Sequence, residues 1–325
     1  MEELSLSDFA AQSAAFDASV LATEGIDLFC SSSDWILPAS AAIMPPRTPW
    51  LLRGEHGWAA LMRLVHPMGL ALMQPLEAAW ELACPLIGRD VGGLAEEFAA
   101  EARVKEPMWD ALVLSGLQPD GAMRRSLLRT LGRRYEVRLG TPAVRCQVDL
   151  AEGTERFLAR RSANFRRALR RAIEEGDRIG LGFERVDVTP ANVAPVWQRL
   201  LAIEAESWKA LADSGLAIPE MRRFYEQMLP RLAERGAARL LFARHEERDV
   251  GYILGGLLGS TYRGLQFSYH HEYQRFSLGN LAQWAQLRLL EQEGIATYDL
   301  GSDMEYKRRW ADRLVETESL LFLKR

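Results

Sequence analysis

TYRGLQFSYHHEYQRFSLGNLAQWAQLRLLEQEGIATYDLGSDMEYKRRWADRLVETESLLFLKR, residues 261–325, is the stretch whose reading decides the fold. It reads as a strand (TYRGLQFSYHHEY), a loop (QRFSLGN) and a helix (LAQWAQLRLLEQEG), then a strand (IATYDLGSD), a helical piece (MEYKRRWADR) and a last strand (VETESLLFLKR). Leu278, Leu281, Ala282, Ala285 and Leu289 share one face of a helix at 3.6-residue spacing, which fixes where that helix begins. Ser277 then takes the N-cap position. Gly279, in the first turn, has no Cβ, so a ligand can come close to the backbone. The free N–H groups and positive dipole end of that turn suit an anion such as a pyrophosphate. An ordinary capped helix with a glycine in its first turn fits the same letters.

Outward from this stretch, the same succession occurs earlier in the chain. MGLALMQPL (residues 68–76) reads as a strand, VGGLAEEFAAEARVK as a helix, WDALVLSGL as a strand, GAMRRSLLRTLG as a helix and RYEVRLG as a strand. Two copies of one unit account for this order, with the join near Thr141 to Asp149, where Pro142 interrupts the pattern. The expected units are residues 1–145 and 146–325, each a mixed α/β sheet flanked by helices. Between the join and residue 261 the sequence predicts a helix from about Glu152 to Glu175, the strand LGFERVDV, and helices over Asn192–Ala212 and Pro219–Arg235. A hairpin-like pair, AARLLFARHEE and RDVGYILGGLLGS, follows.

Composition bounds the function. With 325 residues, 48% of them hydrophobic, the chain can bury two cores of about 150 residues each. The formal charge of -4, with neither a basic tail nor an apolar run near membrane-spanning length, argues against bulk nucleic-acid coating and against a membrane span. The N-terminus carries Glu2, Glu3 and Asp8 and lacks a charged-then-apolar leader pattern, so a cytoplasmic location is expected. Cys30, Cys84 and Cys146 are odd in number and widely separated, which reads as buried free thiols. No metal-ligand spacing occurs, and no metal is expected.

Four pieces of the chain carry a family resemblance: SANFRRALRRAIEEG, EAESWKALADSGL, YHHEYQRFSLGNL and YDLGSDMEYKRRWADR. From about Arg160 to the C-terminus the chain resembles the GNAT-superfamily acyltransferases of the BioF2-like or CelD type, relatives of the FemAB peptidoglycan aminoacyltransferases. The first half, with SSSDWILPAS and PLEAAWELACPLIGRD, resembles the degenerate first unit of tandem GNAT proteins. The resemblance implies a tandem GNAT fold that moves an acyl group, acetyl first of all, from acyl-CoA to a small-molecule amine acceptor. In that family the loop between the fourth strand and the third helix holds the pyrophosphate of CoA. The usual pattern there is Arg or Gln, two residues, Gly, one residue, then Gly or Ala. This chain has QRFSLGNL, with one glycine, so the implied donor-binding residues are Arg275, Phe276, Ser277, Leu278, Gly279 and Asn280. FemAB relatives take their group from aminoacyl-tRNA, which makes charged tRNA the alternative donor. A catalytically silent fold that binds a partner is the reading from another class.

Acyl transfer to an amine needs a donor for the thioester oxygen, a base for the amine and an acid for the thiolate. Glu204 is the leading base, with Trp208 one helical turn on as a pocket wall; a solvated carboxylate held by Lys209 is the plainer reading. Tyr306 lies just after the fifth-strand analogue, where the resemblance implies an acid, and Lys307 beside it could stabilise an oxyanion or bind phosphate. His270 and His271 end a strand, so they face opposite ways; His270 could move a proton or form a polar rim. Asp299 and Asp303 bracket Gly301 at a strand end, a common place for working carboxylates in open sheets. Seven arginines lie between Arg156 and Arg171 without an intervening acid. Their helix would expose Arg167 and its neighbours to the acidic part of an acceptor or to a tRNA backbone. Trp208, Lys209, Asp303 and Arg167 are the expected substrate contacts.

Overall fold

The computed structural model describes residues 1–42, 47–210 and 214–325. The chain divides into two compact units, the first comprising Met1–Val144 with Glu316–Arg325 and the second Arg145–Val315. The last ten residues therefore belong to the first unit, although the sequence reading put them in the second.

In the first unit, strands β1 (Glu2–Leu4), β2 (Thr48–Arg53), β3 (Trp58–Val65), β4 (Ala71–Pro75) and β6 (Ala111–Leu117) lie side by side in that order. The short β5 (Leu86–Ile87) pairs with β3. The C-terminal strand closes the sheet, antiparallel to both β6 and β7 (Glu136–Leu139). All neighbours run antiparallel except β4 and β6, which are matched in parallel at Leu72↔Ala111 and Met73↔Leu112. Between these two strands comes helix α5, Val91–Val104, after four helices near the N-terminus: α1 (Leu6–Ala11), α2 (Ser13–Leu21), α3 (Leu28–Ser31) and α4 (Ser33–Ala42). Asp90 caps α5 by accepting the N–H groups of Gly92 and Gly93, and Leu94, Ala95, Phe98, Ala99 and Ala102 bury one face of it. Helix α6 (Ala122–Thr130) follows β6.

The second unit repeats that plan. Strands β8 (Ala143–Asp149), β9 (Leu181–Val186), β10 (Ala238–His245), β11 (Arg248–Leu258), β12 (Thr261–Tyr269) and β13 (Thr297–Ser302) pair in the order β8-β13-β12-β11-β10-β9. The parallel neighbours are β12 and β13, with a helix between them in the chain, as β4 and β6 have α5. The expected helix over Glu152–Glu175 is two, α7 (Gly153–Ala159) and α8 (Ala163–Arg178), because Ser162 caps the second by accepting the Phe165 N–H. Helix α9, Val193–Ala205, is shorter than the sequence predicts; residues 211–212 of that expectation lie outside the described residues. Helix α10 (Pro219–Glu234) starts at its proline, as expected. Helix α11 spans Leu278–Gln292, and it buries Gln286, Leu287 and Leu290 as well as Leu278, Leu281 and Ala282, so it is covered on more than one face. The short α12 (Glu305–Arg308) leads into the C-terminal strand β14, Arg313–Leu323. The core beneath holds Phe157, Tyr262, Leu287, Leu290, Tyr298 and Trp310, with the Phe157 and Trp310 rings stacked at 5.9 Å. The three cysteines are buried and free, as the sequence predicts.

Candidate active site

The site is built by two strands that start as neighbours and then part. Strands β12 and β13 are matched only at Thr261↔Thr297, Tyr262↔Tyr298 and Arg263↔Asp299. Against β11, the register of β12 slips so that Leu265 is an extra residue; against β8, β13 slips at Leu300. Gly301 follows with φ of 82°, in the left-handed region that favours glycine. Extra residues of this kind bend a strand. Where β12 and β13 separate, a cavity of about 530 Å³ opens, with Gln266, Phe267 and Tyr269 on one side and Tyr298 and Leu300 on the other.

The turn into α11 forms one end of this cavity through Ser277, Gly279 and Asn280. Ser277 is the N-cap residue but takes a left-handed conformation, φ 55°, and its hydroxyl makes no capping bond. Its N–H donates to the Gln274 carbonyl at 3.0 Å, and the Asn280 N–H donates to the Ser277 carbonyl at 2.8 Å. That leaves the N–H groups of Leu278 and Gly279 without an acceptor among the described residues, two donors at a helix N-terminus. Of the six residues that the resemblance implies at the donor, Arg275 to Asn280, Ser277 and Asn280 have their N–H groups engaged within the turn. Gly279 makes room for the cavity's own wall: a Cβ there would lie 3.0 Å from Cζ of Phe267. Leu278 turns its side chain into the core, Phe276 packs against the same cluster, and the Arg275 guanidinium lies 4.6 Å from the Phe276 ring. None of these three side chains lines the cavity.

Two lysines do. Lys209 Nζ donates to Gln266 Oε1 at 2.6 Å, and Lys307 Nζ donates to the Ser302 carbonyl at 3.0 Å. Burial, then the nearby Arg263 guanidinium, brings the Lys307 ammonium down to about 8; burial likewise lowers Lys209, against the opposing pull of Glu204. Trp208 stands beside them, half exposed, and Tyr306 lines both this cavity and a second one of about 730 Å³. The second cavity meets the first at Asn280, Tyr306 and Trp310 and carries Arg160, Arg161 and Arg309.

The remaining expected residues sit elsewhere. Glu204 is buried behind the wall, where Oε1 accepts the Tyr252 hydroxyl at 2.5 Å and Oε2 the Ser207 hydroxyl at 3.3 Å. It is buried and does not line the cavity, which argues against its role as the base; it supports the Lys209 charge, as the plainer reading had it, but is not solvated. His270 is buried in a bridge to Ser207 and faces Tyr273 rather than the cavity; burial lowers its imidazole below the usual range. Asp299 is a structural anion, gripped by Arg145 and Arg263 and accepting from Gln147 Nε2 at 3.0 Å and the Gly301 N–H at 2.8 Å. Asp303 is taken up by Arg308, and Arg167 is exposed on α8, donating to Asn164 Oδ1 at 2.6 Å. The glutamines Gln266, Gln274 and Gln283 line the cavity unannounced: Gln266 because a strand with an extra residue shows residues of both parities on one side, Gln274 from the turn after β12 and Gln283 from α11.

With this geometry in place, residues 159–308 match the family model of the acetyltransferase (GNAT) domain. The match lies within the second unit. No curated protein matches the sequence. Among solved structures, a conserved protein of unknown function from Bacteroides thetaiotaomicron VPI-5482 is similar at a TM-score of 0.66 with 11% identity, covering 99% of each chain. FemX is similar at 0.64 with 14% identity, over 98% of this chain and 97% of its own. L-PGS from Bacillus licheniformis is similar at 0.57 with 12% identity, over 85% and 84%. At these identities the likeness is one of fold, and it extends over both units. Among the described residues no group of side chains is set to hold a metal ion, and no helix is long and apolar enough to cross a membrane.

Proposed function

We propose that the GNAT domain is a cytoplasmic acyltransferase of the BioF2-like or CelD type that moves an acyl group, acetyl in the simplest case, from acyl-CoA to an amine. The observation that carries this reading is the parting of β12 and β13 beside a helix N-terminus with two unused N–H groups. A thioester arm laid between the strands brings its diphosphate to Leu278 and Gly279 and its carbonyl toward Lys307 and Tyr306. The amine attacks the thioester carbon, the carbonyl oxygen becomes an oxyanion, and the C–S bond breaks. Lys307, mostly protonated at neutral pH, donates to the oxyanion, and the Tyr306 phenol gives its proton to the departing thiolate and regains one, through water, from the nitrogen that has become the amide. Glu204 does not reach the amine. Instead, two ammonium groups in the cavity favour the neutral form of the bound amine, which loses its proton to water.

Acyl-CoA at a hundred times its dissociation constant adds about 2.7 kcal/mol of stability. We therefore expect the melting temperature to rise by several degrees with acetyl-CoA. A melting temperature unmoved by any acyl-CoA would remove the donor assignment.

A second reading, aminoacyl transfer from charged tRNA, is favoured by the arginines. Arg166, Arg167, Arg170 and Arg171 are exposed on α8 without a carboxylate partner among the described residues, next to the cavity that holds Arg160, Arg161 and Arg309. Salt-sensitive tRNA binding without a CoA effect is the outcome that selects it.

A further inference from the structure

The cavity between β12 and β13 carries two ammonium groups and, among the described residues, not one carboxylate on its walls. Two ammonium groups favour the neutral form of a bound amine, but they repel the protonated form that predominates in water, so an acceptor without an anion of its own binds weakly here. The layer behind does not cancel the charge. Asp299 is shared between two guanidiniums, Glu204 accepts from Tyr252 and Ser207, and Asp303 is paired with Arg308. Lys209 is also held in place with an open valence. Its side-chain hydrogen bond is to the neutral Gln266 side chain, which orients the ammonium without neutralising it. Lys209 is near enough to Lys307 to make the Lys307 charge more costly. A cationic pair removed from bulk water, with no carboxylate hydrogen-bonded to either ammonium among the described residues, is completed by an anion from the ligand.

We infer that the substrate bound in this cavity carries a carboxylate, which pairs with the Lys209 ammonium and thereby sets its reactive carbon or nitrogen beside Lys307. This rests on the acyltransferase reading of the same cavity and adds the substrate class. The carboxylate sits either on the acceptor, making it an amino acid, or on the acyl chain, making it a dicarboxylic monothioester. Gln274 and Gln283 can bind the uncharged polar part of either, and Phe267 and Tyr269 its apolar part.

The test uses matched pairs with the full chain. In the acceptor arm, amino acids are compared with their carboxamides, by calorimetry and by transfer from acetyl-CoA. In the acyl arm, succinyl-CoA is compared with butyryl-CoA, by calorimetry. One arm is expected to favour its carboxylate member by about tenfold or more, the scale of one charge-assisted hydrogen bond. Lys209→Met is expected to reduce that preference to within about twofold, and Lys209→Arg to retain most of it. Melting curves of both variants establish that they are folded. Equal binding of acid and neutral partner in both arms, or a preference that survives in Lys209→Met, overturns the inference. If acyl-CoA binds and turns over without a carboxylate preference, only this inference falls. If no acyl-CoA binds, the donor assignment falls, and calorimetry with the amino acid pairs still decides the carboxylate.

Discussion

Lys307→Met is expected to lower kcat by about 10²-fold or more while leaving the affinity for acyl-CoA nearly unchanged. The magnitude is that of losing one donor to a developing oxyanion in a cavity with little water. The split between kcat and affinity follows because the thioester oxygen in the ground state is a much weaker acceptor than the oxyanion. The pH profile carries an independent signature. Lys307 works as its ammonium, and burial together with Arg263 sets that ammonium at about 8. Turnover should rise with pH as more amine is neutral, then fall above about pH 8 as Lys307 loses its proton. In Lys307→Met the falling limb should be missing. A variant that keeps the limb, or that loses stability instead of turnover, removes Lys307 from the chemistry and leaves it a structural side chain tied to the Ser302 carbonyl.

What the sequence disclosed about this site depended on whether the signal was local. The start of α11 at Leu278 follows from the spacing of its apolar residues, and the unit repeat follows from the order of strands and helices, since both are written in adjacent letters. Lys209, Trp208, Tyr306 and Lys307 also come to the cavity as expected. The carboxylates do not, and the reason is long-range. Asp299 meets Arg145, which lies 154 positions away, and Glu204 meets Tyr252, 48 positions away. Nothing in the letters around an aspartate states that two arginines from other strands will occupy it. His270 illustrates the same limit: the strand ends at Tyr269, two residues before His271, and the chain continues from His271 as a 3-10 turn, with the His270 ring beside Tyr273. The extra residues at Leu265 and Leu300 were equally invisible, yet they open the cavity.

Asp299→Asn is expected to be the most destabilising single change at the site, at about 3–5 kcal/mol, because it leaves Arg145 and Arg263 buried without their shared anion. A loss of that size corresponds to a drop in melting temperature of about 10 °C. Burial alone would raise the Asp299 carboxyl, but Arg263 and Arg145, with the hydrogen bonds from Gln147 and Gly301, hold it below the ordinary carboxylate range. A carboxyl depressed on folding contributes stability above its unfolded value, near pH 4, and that contribution disappears as pH falls through the folded value. The wild-type protein should therefore lose stability on acidification below about pH 4 by more than the variant does. The substitution also reaches the chemistry. Asp299 supports the Lys307 ammonium and Arg263 opposes it, so removing the carboxylate leaves the opposition uncompensated and lowers Lys307 below about 8. In whatever fraction of Asp299→Asn remains folded, the falling limb of the turnover profile should move to lower pH. A limb that stays in place would mean that Lys307 does not feel the Arg145–Asp299–Arg263 cluster, and that the strand end beneath the cavity stabilises the fold without tuning the lysine above it.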